Sequence, residues 1–267
     1  MQIPYSARLQ RTGWKGLFQV GRFRSVKCTG ALIRTVIGSV ACEGASRRQG
    51  LSLKLPRMGF SGWSPEAVEF FQGLQADNTK AYWSAHKEVY ETAVRGPMAA
   101  LLEELSGEFG PGRITRPYRD IRFRADKSPY KTEIYAALDR GGYVRFSADG
   151  LTAAVGYYMM TTAQLARYRQ AVDDETRGAA LAELVERLRG EGMQVGGSQT
   201  VKSAPRGYPG DHPRIELLRC KGLICWRHWP VAPWLGTAKA KDRVTGFLRT
   251  AAPLHQWLDQ DVGPDPG

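Results

Sequence analysis

The chain has 267 residues, 42% hydrophobic, 24% charged and 10% aromatic, a balance that excludes fibrous, collagen-like and wholly disordered proteins. It has no run of 18 apolar residues, so no membrane span is expected, and four cysteines are too few for a disulfide scaffold. The formal charge of +12 points to nucleic acid only until it is divided: residues 1–57 hold three lysines and eight arginines against Glu43 alone, while residues 58–267 hold 27 basic and 25 acidic residues.

Residues 1–57 scatter Leu17, Phe18, Val20, Phe23, Leu32, Ile33, Val36 and Ile37 among glycines and arginines with no sustained period. Three readings stand for this basic extension: translation from upstream of the native start, an Arg-rich targeting segment, or a nucleic-acid-binding arm. Met58, an internal methionine at an abrupt change of composition, favours the first, and the extension is expected to be disordered. Arg34 interrupts the apolar stretch 31–42, which argues against a secretory signal.

From Met58 the pattern is that of one domain, residues 58–260. Ser64-Pro65-Glu66 reads as a helix start, with Val68, Phe71 and Leu74 apolar and an end near Asp77. Asn78 is placed to cap a second helix reaching about Val94. Gly96-Pro97 opens a third, where Met98, Leu101, Leu102, Leu105 and Phe109 follow helical spacing until Gly110-Pro111-Gly112. Ile114–Phe123 and Thr132–Leu138 are predicted strands. Tyr143–Phe146 and Thr152–Met160 flank Asp149-Gly150, the signature of a hairpin. Helices are predicted over Thr162–Asp173, Thr176–Arg189, Ile215–Arg219 and Ala240–Leu258, with a strand at Leu223–Trp229 and a disordered tail over 261–267. Helical runs around a hairpin predict an α+β fold, with an antiparallel or mixed sheet packed against several helices.

Two clusters carry the candidate chemistry. The first runs from Arg119 to Lys131. If Arg119–Arg124 is extended, Asp120, Arg122 and Arg124 share one face, and Arg122 and Lys131 are placed to converge on an anion. The alternative is a structural salt-bridge network in which the aspartates neutralise the arginines. The second is the rigid loop Pro205–Pro213 with Arg206, Tyr208, Asp211 and His212, leading into Arg219 and Lys221. Asp211 is a candidate cap for the short helix after Pro213, and His212 a candidate general base or metal ligand, or a structural histidine.

These motifs resemble one known family. Gly59-Phe60-Ser61, then Leu74, Asn78 and Trp83, then Arg119, Asp120, Arg122, Phe123, Asp126, Lys127, Pro129, Tyr130 and Lys131 match its pattern. So do Pro205, Arg206, Gly207, Tyr208, Asp211, His212, Pro213, Leu217, Leu218, Arg219 and Lys221. The chain resembles, over residues 58–258, the family called domain of unknown function 2461. The resemblance implies no particular activity or cofactor, and it favours Met58 as the start because nothing in it covers 1–57.

Weaker signals are set aside. Cys220, Cys225 and His228 lack the spacing and fourth ligand of a zinc site, so no metal is assigned and reduced cysteines in a cytoplasmic protein are expected. Trp226, Trp229 and Trp234 suit core packing better than base stacking. No phosphate-loop, dinucleotide or nucleophile-elbow motif occurs. The leading expectation is a site for a phosphate- or carboxylate-bearing small molecule, assembled where the two motifs meet. Arg119, Arg122, Lys127, Lys131, Arg206, Arg219 and Lys221 would bind the anion, and Asp120, Tyr130, Tyr208, Asp211 and His212 would be candidates for proton transfer. The alternatives are a nucleic-acid-binding module and an interaction protein whose motifs form a charge network.

Overall fold

A computed structural model describes residues 59–122 and 125–263. The expectations for residues 1–57, for Phe123 and Arg124 and for the last four residues lie outside the described residues.

The fold is α+β. Its sheet has six antiparallel strands: β1 (Gly112–Ile114), β2 (Glu133–Leu138), β3 (Gly142–Ser147), β4 (Gly150–Tyr157), β5 (Gln194–Gly196) and β6 (Leu223–Pro230). Their order is β1-β2-β3-β4-β6-β5, so β6 returns from a long excursion to lie between β4 and the short edge strand β5. The expected hairpin is present: β3 and β4 pair from Gly142↔Val155 to Ser147↔Gly150, and Gly150 takes the φ of 124° that the tight turn requires.

The register divides the sheet into two unlike faces. Ile134, Ala136 and Leu138 on β2, Val144 and Phe146 on β3, Leu151, Ala153 and Val155 on β4, and Cys225 and Leu223 on β6 point one way and join a single apolar cluster with the helices. Helix α1 (Pro65–Ala76) contributes Phe71 beside Phe146, and Trp63, just before it, stacks on Phe146 at 4.7 Å. Helix α4 (Gly96–Phe109) buries Met98, Leu101, Leu102 and Leu105 as its spacing predicts. Helices α5 (Thr162–Asp173) and α6 (Glu175–Gly190) are capped by Thr161 and Asp174 and pack with the long α8 (Lys239–Asp261). Fully burying one such aliphatic or aromatic side chain contributes about 1.5–3 kcal/mol, so this face is the folding core.

Several sequence expectations fail, each for a physical reason. The helix predicted from Asn78 to Val94 is broken. Thr79, not Asn78, caps α2 (Lys80–Ala85), His86 leaves helical geometry at φ −112° and ψ 15°, and α3 (Lys87–Val89) passes into a π-helical stretch, Tyr90–Arg95, that runs into α4. Asn78 is otherwise engaged: its side chain donates to the Tyr130 carbonyl at 3.1 Å and accepts from the Tyr130 N–H at 3.0 Å. The strand predicted over Ile114–Phe123 stops at Ile114. Pro117 offers no N–H, and Asp120 turns the chain by accepting from the Arg122 backbone, so Asp120 and Arg122 do not share the face of an extended strand. The final helix starts at Lys239, β5 was not expected, and the short helix α7 is Ile215–Leu218.

Candidate functional site on the polar face of the sheet

The first motif is a ribbon folded on itself. Arg119 N–H donates to the Pro129 carbonyl and Lys131 N–H to the Pro117 carbonyl, both at 2.8 Å, and Tyr118 bridges Tyr130. Tyr130 is buried, stacked on Trp83 at 4.4 Å. Its charges are met locally. Asp120 accepts from Arg122 Nε at 3.0 Å and Nη2 at 2.7 Å, and these bonds hold its carboxyl down to about 2. Arg119 donates to Asp126 at 2.7 Å, Lys127 to the Ile121 carbonyl and Lys131 to Thr115 Oγ1.

The second motif braces helices. His212 Nδ1 accepts the Arg214 backbone N–H at 3.0 Å, and Nε2 lies 3.1 Å from the Asp173 carboxylate, so both ring nitrogens are engaged. Asp211 is exposed and does not cap α7, which has no side-chain cap. Arg214 covers the end of α5, donating to the carbonyls of Val172, Asp173 and Asp174. Arg219 pairs with Glu216, Tyr208 is half-buried with its hydroxyl pushed up by burial and by Asp173, and Arg206 is exposed. Lys221 joins the sheet end through its backbone, accepting from Met160 N–H.

The ladder sets the two motifs apart. Lys131 enters β2 beside Glu133, whose row across the sheet is Ser147, Gly150 and Pro230, while Lys221 precedes Leu223, which pairs with Tyr157 at the other end of β4. Gly150 and Tyr157 are seven residues apart on one strand, about 23 Å. His212 lies beside Asp173, the last residue of helix α5.

The sheet face away from the core has a composition that sequence reading passed over. Tyr135, Arg145, Thr152 and His228 are successive partners across β2, β3, β4 and β6, a polar row spanning about 14 Å. Glu133 and Ser147 occupy the next row. Tyr135, Arg145, Ser147 and Thr152 are all under 9% exposed. The Arg145 Nε lies 3.3 Å from Glu133 Oε2, with side chains 10% and 14% exposed. Thr152 Oγ1 lies 3.0 Å from His228 Nδ1.

Electrostatics couple the first motif to this row. Burial raises the Glu133 carboxyl above its ordinary value, and Arg145, Arg119 and Lys131 pull it back. Burial lowers His228, and Arg145 adds to that. Tyr158, just past β4, is raised by burial and by Glu133. Both shifts favour the uncharged form, a protonated carboxyl at Glu133 and a neutral imidazole at His228. Chemically, the face offers a buried guanidinium, hydroxyls, and an acid and a base within one patch.

The sulfur ligands considered for zinc do not assemble with the histidine. Strand alternation puts Cys225, whose Sγ is 3.5 Å from Met193 Sδ, on the core face and His228 on the polar face. Among the described residues no group of three or more His, Cys, Asp or Glu is arranged to hold a metal ion, and no helix is long and apolar enough to cross a membrane.

Comparison with known proteins gives a family and no activity. The family model described as "Conserved hypothetical protein (DUF2461)" matches residues 66–257. No curated protein matches the chain. Among solved structures, a conserved hypothetical protein from Pyrococcus furiosus is 14% identical and aligns over 64% of this chain and 98% of its own, with a TM-score of 0.33.

Proposed function

The chain belongs to the DUF2461 family of conserved hypothetical proteins, and we propose that it binds a small molecule bearing a carboxylate or phosphate on the polar face of its sheet. Arg145 is the anchoring cation, with Thr152, Ser147 and His228 around it and Arg119 and Lys131 of the first motif at the rim. The observation that carries this reading is a buried arginine, 8% exposed, facing a carboxylate whose side chain is 14% exposed, on the side of the sheet that the hydrophobic core does not use. Apolar residues of similar volume would serve folding as well or better, which supports a role for the pair beyond folding. Glu133 and His228 give the site the means for proton transfer on what it binds. The second motif contributes nothing to this site; its contacts suit a brace between α5 and α7.

The near balance of charge over residues 58–267 favours a small molecule over a polynucleotide. The free, buried thiols of Cys220 and Cys225 suit a protein working in the reducing cytoplasm.

The test is thermal unfolding of the full chain with acetate, inorganic phosphate or short oligonucleotides, against sodium chloride at matched ionic strength. An anion at a hundred times its Kd adds about 2.7 kcal/mol. The reading predicts a raised midpoint that disappears in the Arg145→Met/Glu133→Gln double variant. A shift that survives in that variant, or is produced by oligonucleotides alone, refutes it.

A further inference from the structure

We infer that Glu133 stands in the place of the ligand's carboxylate, so that an incoming carboxylate takes Arg145 from it and Glu133 takes up a proton from solvent as it lets go. This deepens the binding reading above and rests on Arg145 being the anchor.

Burial and geometry are mismatched in the Arg145–Glu133 pair. Three arginine–carboxylate pairs nearer the surface, Arg119–Asp126, Arg122–Asp120 and Arg249–Glu108, close to 2.7 Å, while Arg95–Glu91 and the pairs of Arg177 with Asp174 and Asp261 stand at 3.5, 3.3 and 3.8 Å. Arg145–Glu133 is the pair most withdrawn from water, and it stands at 3.3 Å. Charge-assisted bonds from nitrogen to a carboxylate settle at about 2.7–2.9 Å. Where water is excluded, only good geometry repays the desolvation of two ions. A loosely held internal carboxylate is what a competing one displaces at low cost.

Charge at the site supports the same exchange. The groups that act on Glu133 are Arg145 from β3, Arg119 and Lys131 from the ribbon, and Asp149 from the hairpin turn. Tyr135 and Tyr158 feel Glu133, and His228 feels Arg145 and Asp149. Three cations thus face two carboxylates. A bound anion would make three negative groups in a poorly hydrated patch, and protonating Glu133 restores the balance. Burial already favours its protonated form, and losing Arg145 as partner removes the strongest opposing influence. Since Glu133 is itself a carboxylate, the vacated position fits a ligand carboxylate better than a tetrahedral phosphate.

The experiment is calorimetric titration of acetate into the full chain between pH 6 and 8, in bis-Tris and imidazole buffers, whose different ionisation heats report protons taken up. The inference predicts uptake of up to one proton per acetate, with affinity rising as pH falls, by at most tenfold per pH unit. Glu133→Gln, which is neutral and of the same shape, should bind acetate more tightly, with no proton uptake and no pH dependence. Acetate binding without uptake in the unmodified chain, or unchanged affinity and uptake in Glu133→Gln, overturns the exchange and leaves the binding site standing. If neither form binds acetate, the binding reading falls and the exchange with it.

Discussion

Replacing Arg145 by Met tests whether the polar face holds a buried charge pair. The substitution keeps a flexible apolar stem of similar length and deletes the guanidinium, leaving the Glu133 carboxyl with a side chain 14% exposed. Two routes are open to it. Remaining ionised without its partner costs about 3–5 kcal/mol. Taking a proton costs what it takes to neutralise a group whose ordinary value is 4.5: about 3.4 kcal/mol at pH 7 and about 0.7 kcal/mol at pH 5, at 1.36 kcal/mol per unit. The second route is no dearer at pH 7 and clearly cheaper at pH 5, so the variant should fold with Glu133 protonated. The double variant Arg145→Met/Glu133→Gln shares the lost packing and has no charge to neutralise. Urea unfolding should place the single variant about 3 kcal/mol below the double at pH 7 and about 1 kcal/mol below it at pH 5. Thermal midpoints should differ by about 6–12 °C at pH 7. Coincident stabilities at both pH values would mean that Glu133 is not buried against Arg145, and the reasoning for the site would fail.

The remaining expectations concern other parts of the molecule. Asn78→Ala removes both bonds to the Tyr130 backbone and should cost about 1–3 kcal/mol in urea unfolding; a loss below about 0.5 kcal/mol would refute the clamp. Arg122 holds the Asp120 carboxyl down to about 2, against an ordinary 3.8. Its stabilisation is therefore complete above that ordinary value and is lost as pH falls from there through about 2. Asp120→Asn should flatten this part of the stability–pH curve, and parallel curves would contradict the pairing. Burial pushes the thiols of Cys220 and Cys225 up to about 11 and about 12. Peptide mapping after iodoacetamide at pH 8 should find both unmodified in the native chain and both modified after unfolding; native labelling of either would refute the burial.

Helices α1 and α4 were legible because their apolar spacing and start signals are local: Met98 to Leu105, and Pro65 at the start of α1. The hairpin was legible from Asp149-Gly150. What failed was decided by side-chain contacts, near or far along the chain, that the residue pattern does not show. Asn78 looks like a cap until Tyr130, 52 residues away, claims both ends of its amide. Residues 115–122 look extended until Asp120 reaches forward to Arg122. At three residues, β5 is too short to show a period. The polar face was hidden for a different reason. Tyr135, Arg145, Thr152 and His228 come from four strands, and each alone reads as the solvent side of an alternating strand. The available signal was Tyr143-Val144-Arg145-Phe146, followed within the hairpin by an almost wholly apolar partner strand that has no need of an arginine opposite it. The two dense motifs drew attention because their charges adjoin in sequence. That adjacency is also what lets Asp120 neutralise Arg122 and Asp126 neutralise Arg119 within a few residues.

The most direct measurement of the central claim is nitrogen-15 NMR of the arginine side chains during titration of the full chain with acetate, with Arg145 assigned by its Met variant. The account predicts that the Nε–Hε resonance of Arg145 moves in a saturable way together with the His228 ring, while Arg206 and the His212 ring stay where they are. Saturable movement centred on Arg206 and His212, with Arg145 unchanged, would contradict it and return the site to the loop Pro205–Pro213.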